Sequence, residues 1–359
     1  MGFALVPVTS GTCHAGAPSW LDLNPVAKKV AEYRENPEFV VGGLDFNGDG
    51  SQLATNGMVA GPEVHVWKWR TPSQIVRVLP MNSSAGGGDA IRYSPDGSLL
   101  AVGHVLDRPE VGFGLVRVWD TKTWAVADDI AEPKGASGEM GFAFSPDARL
   151  LVRTMDRLSG PNIVLHRTDT WEALWGVTTR PFVPRKLALS PDGRFAAVAG
   201  STTSLGPNGP PVIVRPQILI VDLSGGRIVR TIEAFPDYNA IQALDWRPDG
   251  SALAAGAIVG GSYPGPNAVK IFDPRSGREL LDEPATEAAF VSALRYSRNG
   301  RYLIEGYIDG NVRIWDGEHR HLLQAIPVNN RFNPALSISP DSRFFAIAVG
   351  QDVSVWEVK

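Results

Sequence analysis

A short turn motif recurs seven times along the chain and constrains the fold more than any other feature of the sequence. Each copy has an apolar or aromatic residue, a turn close to Ser-Pro-Asp-Gly, and then a short apolar run. The fourth positions of the copies are Asp49, Asp96, Asp147, Asp192, Asp249, Asn299 and Asp341. Successive copies are 47, 51, 45, 57, 50 and 42 residues apart. An internal period of this size is typical of a chain that repeats one supersecondary unit.

The residues around each turn predict a unit of four short strands. Pro presets φ, Asp bonds the local backbone, and Gly tolerates a positive φ, so the motif favours a tight turn. In the second copy, alternating apolar residues at 90–93 and 99–102 flank the turn and predict a hairpin. A third alternating run follows at 116–120, and a weaker fourth run at 125–130. Four short strands in each unit of about 40–50 residues are the composition of a β-propeller blade.

The turn Tyr93-Ser-Pro-Asp-Gly97 and the strand Val116-Arg-Val-Trp-Asp120 resemble the repeats of the WD40 family. The resemblance covers residues 26–359 and implies an all-β, seven-bladed β-propeller of WD40 type. No copy carries the Gly-His pair that WD40 repeats place ahead of their first strand. We therefore expect the family's His–Ser/Thr–Asp–Trp hydrogen-bond network to be absent, and the blades to cohere mainly by apolar packing.

The two ends of the repeat region predict how the ring closes. The last copy stops at Lys359, directly after its third strand, so its fourth strand must come from elsewhere. Residues 26–34 alternate as a strand does and precede the first copy. We expect this segment to pair beside Asp352–Val358, because an open ring would leave two unpaired sheet edges. The predicted organisation is an N-terminal arm at 1–25 and a propeller at 26–359.

Composition limits the classes of partner and compartment. The formal net charge is −4, which argues against a general nucleic-acid or anionic-membrane partner. No apolar run of 18 residues predicts a membrane span. Residues 1–25 lack the features of an intact secretory signal, so a cytoplasmic location and, after removal of a signal peptide, a periplasmic or secreted one both stay open. Arg outnumbers Lys by 26 to 8, which together with the resemblance favours a bacterial source.

Three patterns have a possible metal or catalytic interpretation, and in each the simpler interpretation is favoured. The segment Asp45–Gly50 matches the start of a calcium loop, but Leu53 and Asn56 occupy later loop positions where acidic ligands would serve. We interpret it as a turn, with calcium binding as the alternative. His319 and His321 form a weak zinc pattern without further ligands. No grouping of Ser, His and Asp recurs, so we expect no cofactor, no metal and no enzyme activity.

Charged residues recur at one position of the predicted innermost strands. Asp45 and Arg92 occupy it in the first two repeats, and Asp245 and Arg295 occupy it in the fifth and sixth. Adjacent blades thus present opposite charges at the same depth, which favours two inter-blade ion pairs near the axis. The alternative is a charged ligand site in the central channel.

Two further charges lie where the other repeats have small or apolar residues. Arg153 and Glu305 occupy equivalent positions in the second strands of repeats three and six. A charge in such a strand must be paired or must reach water. Structural pairing is the favoured interpretation, and a role at a binding surface is the alternative.

The repeats differ mainly in the connection between their second and third strands. It is short in repeats six and seven and long in repeats two to five, where it reaches 16 residues at 201–216. Long loops on a rigid scaffold are where binding function usually lies. The partner-binding candidates in and beside these loops are His104, Asp107, Arg108, Phe113, Asp156, Arg157 and Tyr263.

The sequence therefore predicts a non-catalytic scaffold that binds a protein partner through the long loops of one propeller face. Two alternatives stay open. One is a small-ligand, metal-binding or enzymatic propeller that uses the central channel. The other is a secreted or periplasmic accessory subunit of a larger assembly.

Overall fold

The computed structural model describes residues 25–36, 38–57, 63–70, 74–81, 87–105, 114–131, 141–157, 159–205, 211–235, 240–258, 269–280, 290–319, 321–328 and 333–359. In these ranges the chain forms 27 strands in seven antiparallel sheets and no helix. No described segment could therefore cross a membrane as a helix. Most of the predicted N-terminal arm, residues 1–24, lies outside the described residues.

Each sheet is one blade, and its strands follow chain order from the centre outwards except in blade 7, whose outermost strand is β1. Blades 1 to 3 contain β2 (Val41–Phe46), β3 (Leu53–Gly57), β4 (Glu63–Lys68), β5 (Gln74–Pro80); β6 (Gly87–Tyr93), β7 (Leu99–Val105), β8 (Gly114–Asp120), β9 (Val126–Ala131); and β10 (Phe142–Phe144), β11 (Leu150–Thr154), β12 (Ile163–Arg167), β13 (Ala173–Val177). Blades 4 and 5 contain β14 (Phe182–Leu189), β15 (Phe195–Leu205), β16 (Pro211–Asp222), β17 (Arg227–Glu233); and β18 (Ala240–Trp246), β19 (Leu253–Ile258), β20 (Val269–Phe272). Blades 6 and 7 contain β21 (Val291–Tyr296), β22 (Tyr302–Tyr307), β23 (Asn311–Asp316), β24 (Leu322–Pro327); and β25 (Ala335–Ile338), β26 (Phe344–Val349), β27 (Asp352–Val358), β1 (Ala27–Arg34).

The blades form a closed ring. Each innermost strand contacts the innermost strand of the next blade, from β2 through β6, β10, β14, β18 and β21 to β25, and β25 contacts β2 again. Apolar clusters fill the space between neighbouring blades. One of them, for example, joins Phe46 and Trp67 of blade 1 to Phe344 of blade 7. The predicted seven-bladed β-propeller is confirmed.

The outer strand of blade 7 comes from the N-terminal side of the chain. β1 pairs antiparallel with β27, from Ala27 opposite Val358 to Arg34 opposite Asp352, with one irregularity between Lys29 and Ala31. The predicted closure of the ring is therefore confirmed. The closing strand also contacts the first blade, because Tyr33 stacks on Trp67 with ring centroids 4.1 Å apart.

The recurring turn has the same hydrogen bonds in most blades. In blade 2, the Ser94 hydroxyl donates to Asp96 (2.6 Å) and accepts from the Leu99 amide (2.9 Å), while Gly97 has a φ of 73°. Ser145, Ser190 and Ser339 repeat the Ser–Asp bond in blades 3, 4 and 7. In these four blades the side chains thus close the turn between the first two strands.

Blade 5 departs from the four-strand pattern in its described part. β20 is followed by a single bridge between Phe272 and Glu279, and Lys270 pairs with Glu279 at 2.7 Å. In the described part of blade 5, this bridge stands in place of the fourth strand that is expected in each repeat, and residues 281–289 lie outside the described ranges.

Candidate functional site

The long connection of repeat four forms a two-stranded arm. β15 and β16 have 11 and 12 residues and are the longest strands of the described chain. The pairs Thr203 to Ile213, Ser204 to Val212 and Leu205 to Pro211 lie beyond the last pairs that β15 and β16 make with β14 and β17. The sequence predicted a loop at 201–216, whereas most of it is a hairpin. Its Thr, Val and Ile residues favour extended backbone and explain the difference.

The long connection of repeat three is fixed to the start of blade 4. Asp156 forms an ion pair with Arg180 at 2.5 Å, and the Arg180 Nε donates to the Arg157 carbonyl at 2.8 Å. Arg157 in turn donates to the Pro161 carbonyl at 3.2 Å. Asp156 and Arg157, two of the predicted partner-binding residues, thus hold their own loop in shape. Both remain half-exposed on this face.

A buried amide supports the same region. The Asn162 side chain is fully buried, and its Oδ1 accepts bonds from the Thr179 amide (2.9 Å) and hydroxyl (3.0 Å). These bonds satisfy polar groups that would otherwise be buried without partners. Sequence reasoning missed Asn162, Thr179 and Arg180, because no repeat pattern marks them.

The other predicted partner-binding residues are not brought together by the described structure. His104 lies in β7, where its backbone pairs with Gly87 and Leu115. Its side chain is not among the side chains that the structure describes. Asp107, Arg108, Phe113 and Tyr263 also lie outside the described residues. Their role in binding stays a prediction.

The charged residues near the axis brace neighbouring blades. The Asp45 carboxylate accepts bonds from the Tyr93 amide of blade 2 (2.9 Å) and from the Ser337 hydroxyl of blade 7 (2.8 Å). Asp245 likewise accepts from the Tyr296 amide of blade 6 at 2.8 Å. In both cases the donor is the amide of the residue that follows the predicted arginine. Among the described residues, these carboxylates thus join the blades through backbone amides and the Ser337 hydroxyl, and not through the expected Asp45–Arg92 and Asp245–Arg295 ion pairs.

The neighbouring arginines act on Asp245 through space. Burial raises the pKa of Asp245, and the charges of Arg295 and, more weakly, Arg92 oppose that rise. The guanidinium groups of Arg92 and Arg295 donate to the carbonyls of Ile91 and Leu294. These bonds favour the structural interpretation of the charged channel residues over the ligand-site alternative.

Blade 1 contains a buried polar network that differs from the His–Ser/Thr–Asp–Trp network of the family, because its acid is Glu35. The Glu35 carboxylate, which lies just after β1, accepts bonds from Thr55 Oγ1 (2.8 Å) and Trp67 Nε1 (3.1 Å). His65 Nδ1 lies 2.8 Å from its other oxygen. Glu35 directly follows β1, the strand that closes the ring. The absence of a Gly-His pair ahead of β2 therefore gave no indication of this network.

The two charges predicted inside second strands are paired. Arg153 is buried and donates to His166 Nε2 at 3.1 Å and to the Ala131 carbonyl at 3.3 Å. Glu305 is fully buried, accepts from the Tyr307 hydroxyl at 2.6 Å and lies 2.8 Å from His319 Nε2. These contacts match the structural interpretation of both residues.

The residues of the metal-like patterns have other partners. In the calcium-like segment, Asp49 Oδ1 accepts from the Ser51 amide and Asn47 Oδ1 from the Gln52 amide, as in an ordinary turn. His319 contacts Glu305, whereas His321 contacts Asp316. Within the described ranges, no group of three or more His, Cys, Asp or Glu residues could hold a metal ion.

Comparisons with known proteins agree with the ring and its repeats. The family model described as "WD domain, G-beta repeat" matches residues 281–316. Telomerase protein component 1 of Rattus norvegicus is 23% identical over 299 residues, which are 81% of this chain and 10% of that protein. COMPASS component SWD3 of Saccharomyces cerevisiae is 26% identical over 210 residues, with 48% of this chain and 62% of that protein covered. The chain thus spans about a tenth of the telomerase component's length.

A solved structure supports the fold independently of sequence. Kuenenia stuttgartiensis Hydrazine Synthase superposes with a TM-score of 0.69, covering 89% of this chain and 95% of that chain at 17% identity. At this identity the likeness concerns the fold alone. The seven turn repeats and the closed ring make the chain a seven-bladed β-propeller, and the repeat model shows that its residues 281–316 are similar to WD40 repeats.

Proposed function

We propose that this protein is a non-catalytic scaffold that binds a protein partner through the loop-rich face of blades 2 to 5. The observation that carries the proposal is the arm formed by β15 and β16, which extends beyond blade 4 without pairing to either neighbouring strand of that blade. A projecting element on a closed ring can contact another chain without rearrangement of the ring. Binding with little conformational change is the expected mechanism.

The neighbouring loop of blade 3 supports the same surface. Its backbone is held by the Asp156–Arg180 ion pair and by the bonds between Arg157, Arg180 and Pro161. A loop that is already ordered loses less conformational entropy when it binds. The half-exposed side chains of Asp156 and Arg157 can therefore contribute contacts at small additional cost.

The names of the relatives support an interaction role in general terms. Two of them are described as a telomerase protein component and a COMPASS component, which are names of subunits. We propose no catalytic role. The acidic groups described near the channel already accept hydrogen bonds that join the blades.

Shortening the arm tests the proposal. Residues 203–214 are replaced by Asn-Gly, which favours the tight turn needed between the paired residues Thr202 and Arg215. The melting temperature should stay within about 2 °C of wild type, because the removed pairs lie outside the blade. Recovery of a specific partner from lysate of the source organism should fall by roughly tenfold or more, equivalent to about 1.4 kcal/mol.

Two further variants complete the experiment. Arg108→Ala with Phe113→Ala removes predicted contacts of blade 2 on the same face. Lys122→Glu with Arg275→Glu changes the exposed turns that follow the third strands of blades 2 and 5, on the opposite face, and should leave recovery unchanged. Undiminished recovery with both loop-face variants would contradict the proposed surface.

A further inference from the structure

A groove of about 400 Å³ lies at the outer rim between blades 1 and 2. It is lined by Lys68 at the end of β4, by Ile75, Val76 and Arg77 of β5, by Trp124 in the turn after β8, and by two glutamine side chains. Lys68 ends the third strand of blade 1 and Trp124 follows the third strand of blade 2, so the groove is at the opposite face from the arm of blade 4. The groove is therefore separate from the proposed loop-rich surface.

The charge of the groove is uncompensated. Lys68 and Arg77 are exposed, and the lining contains no acidic residue. Within the described part of the chain neither cation forms an ion pair, and Arg77 donates only to the neighbouring Val76 carbonyl, at 2.8 Å. By contrast, Arg215 of β16 is paired with Glu233, and Arg247 in the turn after β18 is paired with Glu318. Two adjacent free cations favour a ligand that carries carboxylates.

The groove also offers an aromatic surface. Trp124 has a φ of 59°, as Trp171 does at the equivalent turn of blade 3 (58°), whereas blades 4 and 5 place Gly226 and Gly277 in this left-handed region. A bulky residue rarely adopts this conformation, because its Cβ is crowded there. The half-buried indole packs against the apolar cluster between blades 1 and 2. Its remaining surface faces the groove.

The strand beside the groove can pair with another chain. β5 pairs with β4, and no other described strand pairs with it. Ile75 is 38% exposed and Val78 is 50% exposed, so the strand presents apolar side chains as well as backbone donors and acceptors. The pairing of β4 with β5 has an irregularity: Val66 pairs with Arg77 and Trp67 pairs with Ile75. Val76 is therefore an extra residue of β5 without a partner in β4. Such an edge is suited to an added strand from a partner.

We propose that this groove binds an extended segment of another protein in which carboxylates stand beside large apolar side chains. The backbone of the segment would add to β5, its carboxylates would contact Lys68 and Arg77, and its apolar side chains would contact Ile75 and Trp124. A nucleic-acid strand fits less well, because the net charge of the chain is −4 and the groove supplies only two cations.

The test measures fluorescence anisotropy of labelled 12-residue peptides with the full-length protein. A peptide of alternating Glu and Leu should bind, and its affinity should fall with added salt, as expected for exposed charges. Peptides with Gln or Lys in place of Glu should bind at least roughly tenfold more weakly. A labelled 12-nucleotide single-stranded DNA should not bind more tightly than the Glu peptide.

Matched variants locate the site. Lys68→Glu with Arg77→Glu should weaken binding of the Glu peptide by roughly tenfold or more. Lys28→Glu with Arg227→Glu reverses two exposed cations on other outer strands and should leave binding unchanged. Trp124→Gly should weaken binding without loss of folding, since Gly accepts the positive φ. Trp171→Gly, at the equivalent turn of blade 3 with a φ of 58°, should not weaken it.

Several results would overturn the proposal. They are absence of binding by wild type up to about 1 mM peptide, equal affinity for the Gln and Glu peptides, tighter binding of the DNA, or equal losses in the groove variants and their matched controls. The experiment does not involve the arm of blade 4, so its outcome is independent of the proposed function.

Discussion

At the scale of single residues, Glu35 connects the closure of the ring to the first blade. It follows β1, which completes blade 7, yet its carboxylate bonds to Thr55, His65 and Trp67 of blade 1. The side chain is 1% exposed. A buried carboxylate is tolerated only where hydrogen bonds replace its water. The residue therefore has a structural role that apolar packing cannot supply.

Replacing Glu35 by Ala should lower the free energy of unfolding by about 3–5 kcal/mol, because removal of one partner leaves buried donors without an acceptor. Urea denaturation measures the effect. Glu32→Ala is the matched control, since Glu32 lies in the adjacent strand with its side chain 59% exposed; it should change stability by less than about 1 kcal/mol. A small effect of Glu35→Ala, comparable to that of the control, would refute the role of the network.

His65 should make stability depend on pH. Burial lowers the pKa of His65, but the hydrogen bonds and charges of Glu35 and Glu63 outweigh burial and raise the pKa above its ordinary value of 6.5. The folded state thus binds this proton more tightly than the unfolded state. The resulting stabilisation is fully present below pH 6.5 and is lost as the pH rises through the folded-state pKa.

The measurement compares wild type with His65→Gln from about pH 6 to about pH 8.5. The stability of wild type should fall towards high pH more steeply than that of the variant. Groups common to both proteins cancel in this comparison. One of them is His166, whose pKa is lowered mainly by burial and whose contribution has the opposite sign. Parallel curves would show that His65 does not contribute in this way.

At the scale of strands and turns, the sequence predicts what is repeated and misses what is unique. The Ser94–Asp96 turn and its counterparts follow from local chemistry, so seven copies suffice to predict the seven hairpins. The arm formed by β15 and β16 occurs once, and its Pro and Gly residues were interpreted as a loop although Thr, Val and Ile favour strands. A segment that occurs once in the chain cannot be compared with equivalent segments of other repeats, so its structure is harder to predict.

Contacts between elements were harder to predict than the elements themselves. The sequence placed Asp45 and Asp245 beside the next blade, but their bonds go to the amides of Tyr93 and Tyr296. An ion pair can be predicted only if the direction of each side chain is known. The repeat pattern shows how far along its strand a residue lies, but not where its side chain points. The Asp156–Arg180 pair likewise depends on how two connections meet in space.

At the scale of the whole molecule, the closed ring carries both of the proposed binding surfaces. The loop-rich face of blades 2 to 5 and the groove between blades 1 and 2 lie on different parts of the same ring. Neither needs a second domain. The pairing of β1 with β27 joins the N-terminal side of the chain to blade 7 and so helps to hold their relative positions.

The stability of truncated chains tests this closure most directly. Deletion of residues 1–34 removes β1, with its pairs to β27 and the stacking of Tyr33 on Trp67. We expect the melting temperature to fall by about 10 °C or more, since roughly 2–4 °C are lost per kcal/mol in a large domain. Deletion of residues 1–20 alone should leave it unchanged. If both truncated chains melt at the temperature of the full chain, β1 does not close the ring.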